Sequence, residues 1–533
     1  MLVIIPLGIL LIGAGLMATS LWPRFGALAG GFAITSATLA LLSLLVLAWW
    51  VPLTATVSVW PASGATAQHL QLSVTWGDWV LGASLISLTL ATLLTGLARP
   101  GGRRSAPRAA MLLLTFAGLG ALWANNLLTV IVAWAGFDLV YFFTLILLTR
   151  GPGVQPQAVL HLTFNSLGTL LALAASFFPP SNFYYAVFIT LAAIFRLGLF
   201  PLHLGWPIEA NVRQGLGTLL RLIPATIALD AVANLASLGF APEFVPWLTV
   251  FGSFTALLGA AQFWMSADAR QGLTFVVIAL SGLALLAGVW GGAVAQLGVL
   301  SIILALVLGG GLVFLAHGLD LHHRWTMLLQ GVGVATLIGL PATAGFFGWH
   351  HLMRQLVLAG QPLAWLALGG VFFTLVLLGA GLWRCIFSAG EAVEGGPVGS
   401  SGYLSGLSFL VLMTVALGVA WNSVAEAVAQ PLTGWLGLEA PSEWGVLVAL
   451  LCAIGLSMAL WRWEGLLRVR GSAEGISMAV QRLFQLNWLY RLVWGLFSFI
   501  ATLIDNLALV LEGEGALVWA LVIALAVFLL FRS

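Results

Sequence analysis

The groups that could move protons or hold cations in this chain are few, and their types are unusual. Its Lys+Arg total is 19, and every one of these is arginine; the 533 residues contain no lysine. That excludes Schiff-base chemistry, a P-loop and a titrating intramembrane ammonium, because a guanidinium keeps its proton whereas a buried ammonium readily shifts its pKa. His203 stands in FPLHLGWP at 200–207, where it serves either an ion path or the backbone carbonyls that a helix break sets free. Glu209 and Arg213 follow four residues apart, the spacing of a local salt bridge on one helix face. The pairs His322–His323 and His350–His351 are adjacent, so their members point in different directions on a helix, which argues against metal or haem ligation. Cys385 and Cys452 lie in apolar stretches and read as small hydrophobic residues, not as a metal site or a disulfide framework. No catalytic centre, metal site, nucleotide site or cofactor follows from these residues. Any redox activity would belong to partners. The net charge of +2 gives no footing for nucleic acid.

The elements that carry these groups are set by composition. The chain is 61% hydrophobic and 7% charged, with a mean hydropathy of +1.09, whereas soluble domains carry about 25% charged residues. Apolar runs recur from residue 2 to residue 531. At about 20 residues per crossing they amount to about 16 transmembrane helices in an all-α polytopic membrane protein. The first apolar run starts at Leu2 without a basic segment before it and reads as the first span, not a cleavable leader. The densest basic loop holds Arg99, Arg103, Arg104 and Arg108. Placing it in the cytoplasm puts most other arginines at cytoplasmic ends, Arg354 and Arg532 excepted, and the N-terminus outside. The 24 tryptophans suit interfacial belts and helix packing.

Two spans are interrupted, by Pro201 and Pro207 in 200–207 and by Pro341 and Gly345 in GLPATAGFFG at 339–348. Proline removes a backbone donor, and a break survives in lipid only where protein or a hydrated cavity satisfies the backbone again. Paired breaks in two halves of a chain point either to inverted repeats with a functional midplane or to ordinary kinks. Near the C-terminus, residues 474–513 form one apolar stretch about twice as long as a span needs, about 60 Å as a helix. Arg482, Arg491 and Asp505 are spread along it. A lateral amphipathic helix on the cytoplasmic side suits this spacing better than a transmembrane hairpin, which would bury Asp505 or Arg491.

The segments FPLHLGWPIEA at 200–210, ADARQGLTFVVIALSGLALLAG at 267–288 and GLPATAGFFGWHHLM at 339–353 resemble the antiporter-like membrane subunits of respiratory complex I. That family is shared with Mrp-type cation/proton antiporters and membrane-bound hydrogenases. The resemblance covers roughly residues 110–390 and implies two inverted five-helix repeats, each with a broken helix. It divides the chain into N-terminal helices (1–108), a first repeat (109–238), a second repeat (239–390), further spans (391–473), the lateral helix (474–513) and a terminal anchor (514–533). In the family a membrane-embedded glutamate, lysines and histidines carry protons along the membrane midplane. Here the family's lysine before FPLH aligns with Arg196, and the histidine after the break with Arg221. The glutamate position is Ala135, with Asp138 nearly one turn later. The central His, His and Lys fall on Ile302, Leu306 and Gly310, and the lysine after the second break falls on Trp349. Asp268 and Arg270 match the family's acidic-basic helix start.

Deprotonating arginine at neutral pH costs at least about 7 kcal/mol. An Asp138–Arg196 contact is therefore either a fixed ion pair or an electrostatic element of a modified path; the third alternative is that the two do not meet. The ion-path candidates are Asp138, Arg196, His203, Glu209 and Arg221. The reading favoured by these positions is an antiporter-like subunit of a complex-I-related assembly, with proton translocation reduced or lost and a role in assembly and coupling. Its partners would be other integral membrane subunits and the bilayer. The alternatives are an active proton- or sodium-translocating subunit and a scaffold of another membrane complex.

Overall fold

Runs of Leu, Val, Ala and Gly become helices here because a helix closes every backbone N–H and C=O within its own segment, which a bilayer core demands. The computed structural model describes residues 2–19, 29–58, 69–98, 105–149, 154–206, 214–266, 269–317, 324–387, 396–428, 441–469, 483, 486–512 and 516–532. Glu209, Arg213, Pro207, Asp268, His322, His323 and Arg482 lie outside these residues. Among the described residues, 12 helices are long and apolar enough to cross a membrane, and four shorter apolar helices have 10–17 residues. The chain is a multi-pass integral membrane protein.

The first helices are α1 (Ile4–Thr19), α2 (Ala29–Leu47), α3 (Trp76–Thr95), α4 (Ser105–Leu122), α5 (Leu127–Leu148), α6 (Val154–Ala175), α7 (Phe183–Leu197) and α8 (Gln214–Leu238). Next come α9 (Val245–Met265), α10 (Ala269–Trp290), α11 (Ala295–Leu304) and α12 (Gly311–Ala316). A π-helical stretch, Ala305–Gly310, joins the last two into one central column. The chain continues through α13 (Arg324–Leu337), α14 (Phe346–Ala359), α15 (Pro362–Phe387), α16 (Gly396–Val419), α17 (Trp421–Ala427) and α18 (Pro441–Val469). It ends in α19 (Asn487–Glu512) and α20 (Ala516–Arg532). Two compact units divide the chain, Met1–Arg470 and Gly471–Ser533.

Between α2 and α3 lies a small antiparallel hairpin, β1 (Leu53–Ser58) and β2 (Leu70–Val74), with Leu53 opposite Val74 and Ser58 opposite Leu70. The alternation in LTATVS and LQLSV is the half-buried strand pattern, an element that the apolar-run reading leaves unassigned. Its outer edge is closed by the turn between α4 and α5, where Ser73 N–H donates to Trp123 O at 2.8 Å and Asn125 N–H to Gln71 O at 3.0 Å. Of the lateral segment expected at 474–513, residues 483 and 486–512 are among the described ones. Its described helix starts at Asn487, after Leu486 adopts a left-handed φ of 53°. The 26 residues of α19 reach about 39 Å, the described part of the helix expected at 474–513. Arg491 and Asp505 both lie exposed on it.

The core of the first unit is the central column. Every described residue of the Gly292–Ala316 span has an apolar or glycine side chain except Gln296 and Ser301, and the membrane window of this span is wholly buried. Beside it, α9 and α10 approach to backbone contact, since a Cβ on Gly282 would lie 2.5 Å from Ala256 N. Small residues permit this approach, and in lipid such close van der Waals contact is a main source of helix association.

Candidate functional site

α7 ends where Gly198 turns left-handed at φ 61°, a conformation that costs other residues about 1–2 kcal/mol. The indole of Trp206 folds back into the space a side chain there would occupy; a Cβ on Gly198 would meet its Nε1 at 2.4 Å. Trp206 Nε1–H donates to Leu197 O at 3.2 Å, closing one of the carbonyls left at the helix end. Phe200 N–H is taken by Thr255 Oγ1 of α9 at 3.0 Å. Pro201 lies half-buried within this turn, and the fully buried ring of His203 stacks on Phe200 at 5.4 Å.

The second break repeats this construction with other residues. Gly339 follows α13 at φ 69°, and a Cβ there would meet Cδ1 of the Trp349 ring at 2.4 Å. Trp349 Nε1–H donates to Leu337 O at 2.9 Å. Gly348 N–H donates to Ser301 Oγ at 2.8 Å, and that hydroxyl donates in turn to Ala344 O. Pro341 is exposed. Gly345 is packed so closely that a Cβ would lie 2.0 Å from Thr336 O. Protein groups thus take up these backbone donors and acceptors at both breaks, the kind of compensation the membrane interior requires.

At the first break, Arg196 in the last turn of α7 meets Asp138 from the middle of α5. Nη2 donates to Oδ1 at 2.8 Å and Nη1 to Oδ2 at 3.0 Å, a bidentate fork between side chains that are each 3% exposed. Nη1 also lies 3.0 Å from Thr169 Oγ1 and 3.4 Å from Asn165 O, both on α6. The guanidinium carbon stands 4.3 Å from the ring centroid of Trp134, one turn before Asp138. The stem of Arg196 crosses α6 at Gly168, where a Cβ would come within 2.9 Å of its Cγ. Such a fork has the geometry and donor count that favour a fixed pair.

Behind the fork, His161 of α6 is buried, with its ring centroid 4.1 Å from that of Tyr141. His161 Nδ1 lies 2.8 Å from Gly205 O, and Asn165 Nδ2 lies 3.1 Å from His161 Nε2. A carbonyl can only accept and an amide NH₂ can only donate. The ring therefore carries its proton on Nδ1 and accepts at Nε2, the neutral tautomer. The Tyr141 hydroxyl makes no hydrogen bond among the described residues. These groups were not among the sequence candidates, although His161, Asn165 and Thr169 recur every four residues in an otherwise apolar helix, the signature of one polar stripe.

Arg221, on α8, does not share the fork in any described contact. Its Nε donates to Thr274 Oγ1 at 2.8 Å and its Nη1 to Gly217 O at 3.0 Å. In the second half, His350 and His351 stack on Phe346 and Phe347, and His351 Nε2 lies 3.0 Å from Gly291 O. The positions of Ile302, Leu306 and Gly310 lie wholly inside the packed column.

A polytopic bundle with two such breaks, an apolar central column and a C-terminal amphipathic helix before a last apolar helix has counterparts among solved membrane complexes. A chain of the Mrp complex from Dietzia sp. DQ12-45-1b superposes with a TM-score of 0.75 at 17% identity, over 99% of this chain and 62% of that one. This chain shares the fold of that Mrp-complex chain. A chain of the membrane-bound sulfane sulfur reductase, an archaeal respiratory membrane complex, has the same fold over 100% of both chains, with a TM-score of 0.71 and 16% identity. A chain of respiratory complex I from Thermus thermophilus matches 84% of this chain and 100% of its own, with a TM-score of 0.66 and 17% identity. In sequence, the NADH-quinone oxidoreductase subunit N of Ruthia magnifica subsp. Calyptogena magnifica is 25% identical over 198 residues, 33% of this chain and 40% of that protein. No protein-family model matches the chain.

Proposed function

We propose that this protein is an antiporter-like integral membrane subunit of a complex-I-related assembly whose own proton route is reduced or lost, and that it serves assembly and coupling. The observation that carries this reading is the Asp138–Arg196 fork, buried and bidentate with a cation that keeps its proton. A proton path needs groups that exchange protons when a pairing changes; Arg196 offers none, and His161 has both ring nitrogens committed. The apolar central column supports the same reading, since Ile302, Leu306 and Gly310 provide no relay between the halves. The N-terminus outside, a lateral helix on the cytoplasmic face spanning neighbouring subunits, and a repeat boundary near 238 belong to this proposal.

The test is ion flux in proteoliposomes containing the intact native complex. Replacing Asp138 and Arg196 together by Leu and Met is expected to leave proton and sodium flux attributable to this subunit unchanged. Loss of flux in a folded double variant would overturn the proposal in favour of an active translocating subunit. Isolation of the chain from its native membrane as a stable, active monomer would remove the assembly role.

A further inference from the structure

His161, Asn165 and Thr169 stand four residues apart on α6 and so share one face of that helix. Together they join the end of α7 to the turn that follows it. Arg196 Nη1, bound to Asp138 Oδ2 at 3.0 Å, also donates to Thr169 Oγ1 at 3.0 Å. The Thr169 hydroxyl donates in turn to Asn165 O at 3.1 Å. From its side chain, Asn165 Nδ2 donates to His161 Nε2 at 3.1 Å, and His161 Nδ1–H donates to Gly205 O at 2.8 Å. The next residue closes the circuit, since Trp206 Nε1–H donates to Leu197 O, the neighbour of Arg196 on α7. Gly205 also sits directly against α6, where a Cβ would come within 3.2 Å of Phe164 Cβ.

Every link from Arg196 to Gly205 runs from donor to acceptor in one direction. It starts at a guanidinium, which only donates, and ends at a carbonyl, which only accepts. A run fixed at both ends in this way is a tie, and in a buried site its bonds polarise and strengthen one another. We infer that this run is a conformational lock. Through Thr169, Asn165 and His161, the Asp138–Arg196 pair holds the turn of the first break, Leu202–Gly205, against α6. The ring of Tyr141, 4.1 Å from that of His161, steadies the plane of the imidazole. The second break is tied to a different element, the central column, where Ser301 Oγ accepts from Gly348 N–H and donates to Ala344 O. Cutting the α6 run is therefore expected to loosen the first break and to leave the second as it was. Such coupling is reciprocal, so a turn freed from α6 also weakens the hold on Arg196. The lock stands whether or not the subunit moves ions, and does not depend on the role proposed above.

Hydrogen–deuterium exchange of the full-length protein in lipid nanodiscs tests this. The amides to read are Leu202 and Trp206, which donate to Leu199 O and His203 O within the turn, with the Trp349 amide of the second break, bonded to Gly345 O, as internal reference. His161→Phe keeps a ring beside Tyr141 but removes both nitrogens, and Thr169→Val removes one hydroxyl two turns further along α6. Exchange at Leu202 and Trp206 is expected to rise about tenfold in the first variant and about threefold in the second, with Trp349 unchanged. Because both cut the same run, the double variant is expected to rise by less than the product of the two single effects. Unchanged exchange at the turn in His161→Phe, an equal rise at Trp349, or single effects that multiply fully in the double variant overturns the inference. Should His161→Phe fail to fold, Thr169→Val decides alone: a rise confined to the first break supports the lock, and the absence of a rise there removes it.

Discussion

Asp138 and Arg196 give the residue scale its clearest energetic test. A buried charge without its partner costs about 3–5 kcal/mol, whereas replacing both members by apolar side chains of similar volume is close to neutral. Asp138→Ala is therefore expected to lower the unfolding free energy in detergent by about that amount, and Asp138→Leu with Arg196→Met to recover most of it. Circular dichroism during denaturation checks both, and an equally severe loss in the double variant would argue that the pair contributes more than mutual compensation. Arg196→Lys is expected to cost about 1–2 kcal/mol, because an ammonium cannot reproduce the planar fork to both carboxylate oxygens. The two partners were legible as candidates because family positions bring Arg196 and Asp138 together. A fixed ion pair was among the alternatives those positions offered; its bidentate geometry was not legible, since 58 residues separate the two in the chain and no local pattern sets their orientation.

The two helix breaks share one device at the scale of elements: a left-handed glycine whose missing side chain admits a tryptophan ring that caps the helix end. Gly339→Ala combines a disfavoured φ with a collision at Trp349 and is expected to destabilise by about 2–4 kcal/mol. Trp349→Phe keeps an aromatic ring, smaller than the indole, and removes the N–H to Leu337 O, an expected loss of about 1 kcal/mol from the hydrogen bond alone. Thermal unfolding of the two variants in one detergent measures the difference, and equal losses would mean that the hydrogen bond, not the packed glycine, dominates. Pro201 and Pro341 announced both breaks in the sequence, because proline has a local and invariant effect on helical hydrogen bonding. The tryptophans that close the breaks gave no such notice. A ring eight or ten residues beyond a glycine becomes meaningful only once the turn has brought it back. The hairpin at 53–74 escaped for a related reason, as its short alternating strands lie between apolar runs that dominate any hydropathy reading.

The whole molecule separates into Met1–Arg470 and Gly471–Ser533, and α19 in the smaller unit carries exposed Trp488, Leu492, Trp494, Phe497 and Ile500. Exposed apolar side chains of this number on a helix suit contact with lipid or with neighbouring subunits. A chain ending at Arg470 is expected to insert and unfold cooperatively like the full-length protein while losing co-purification with its membrane partners. Native mass spectrometry of the two forms measures this, and retention of the same partners by the shortened chain would remove the assembly role from the C-terminal unit.

The sequence by itself determined that this is a multi-pass helical membrane protein, where its helices break, and that its cations keep their protons. Each follows from composition or from a residue's own chemistry, and neither needs a neighbour. Only the tertiary structure decided that Asp138 and Arg196 form a closed fork and that His161 is held neutral between Gly205 and Asn165. Those outcomes depend on distances between helices far apart in the chain, and in a bundle with so few charges a single such distance decides whether a charge meets its partner.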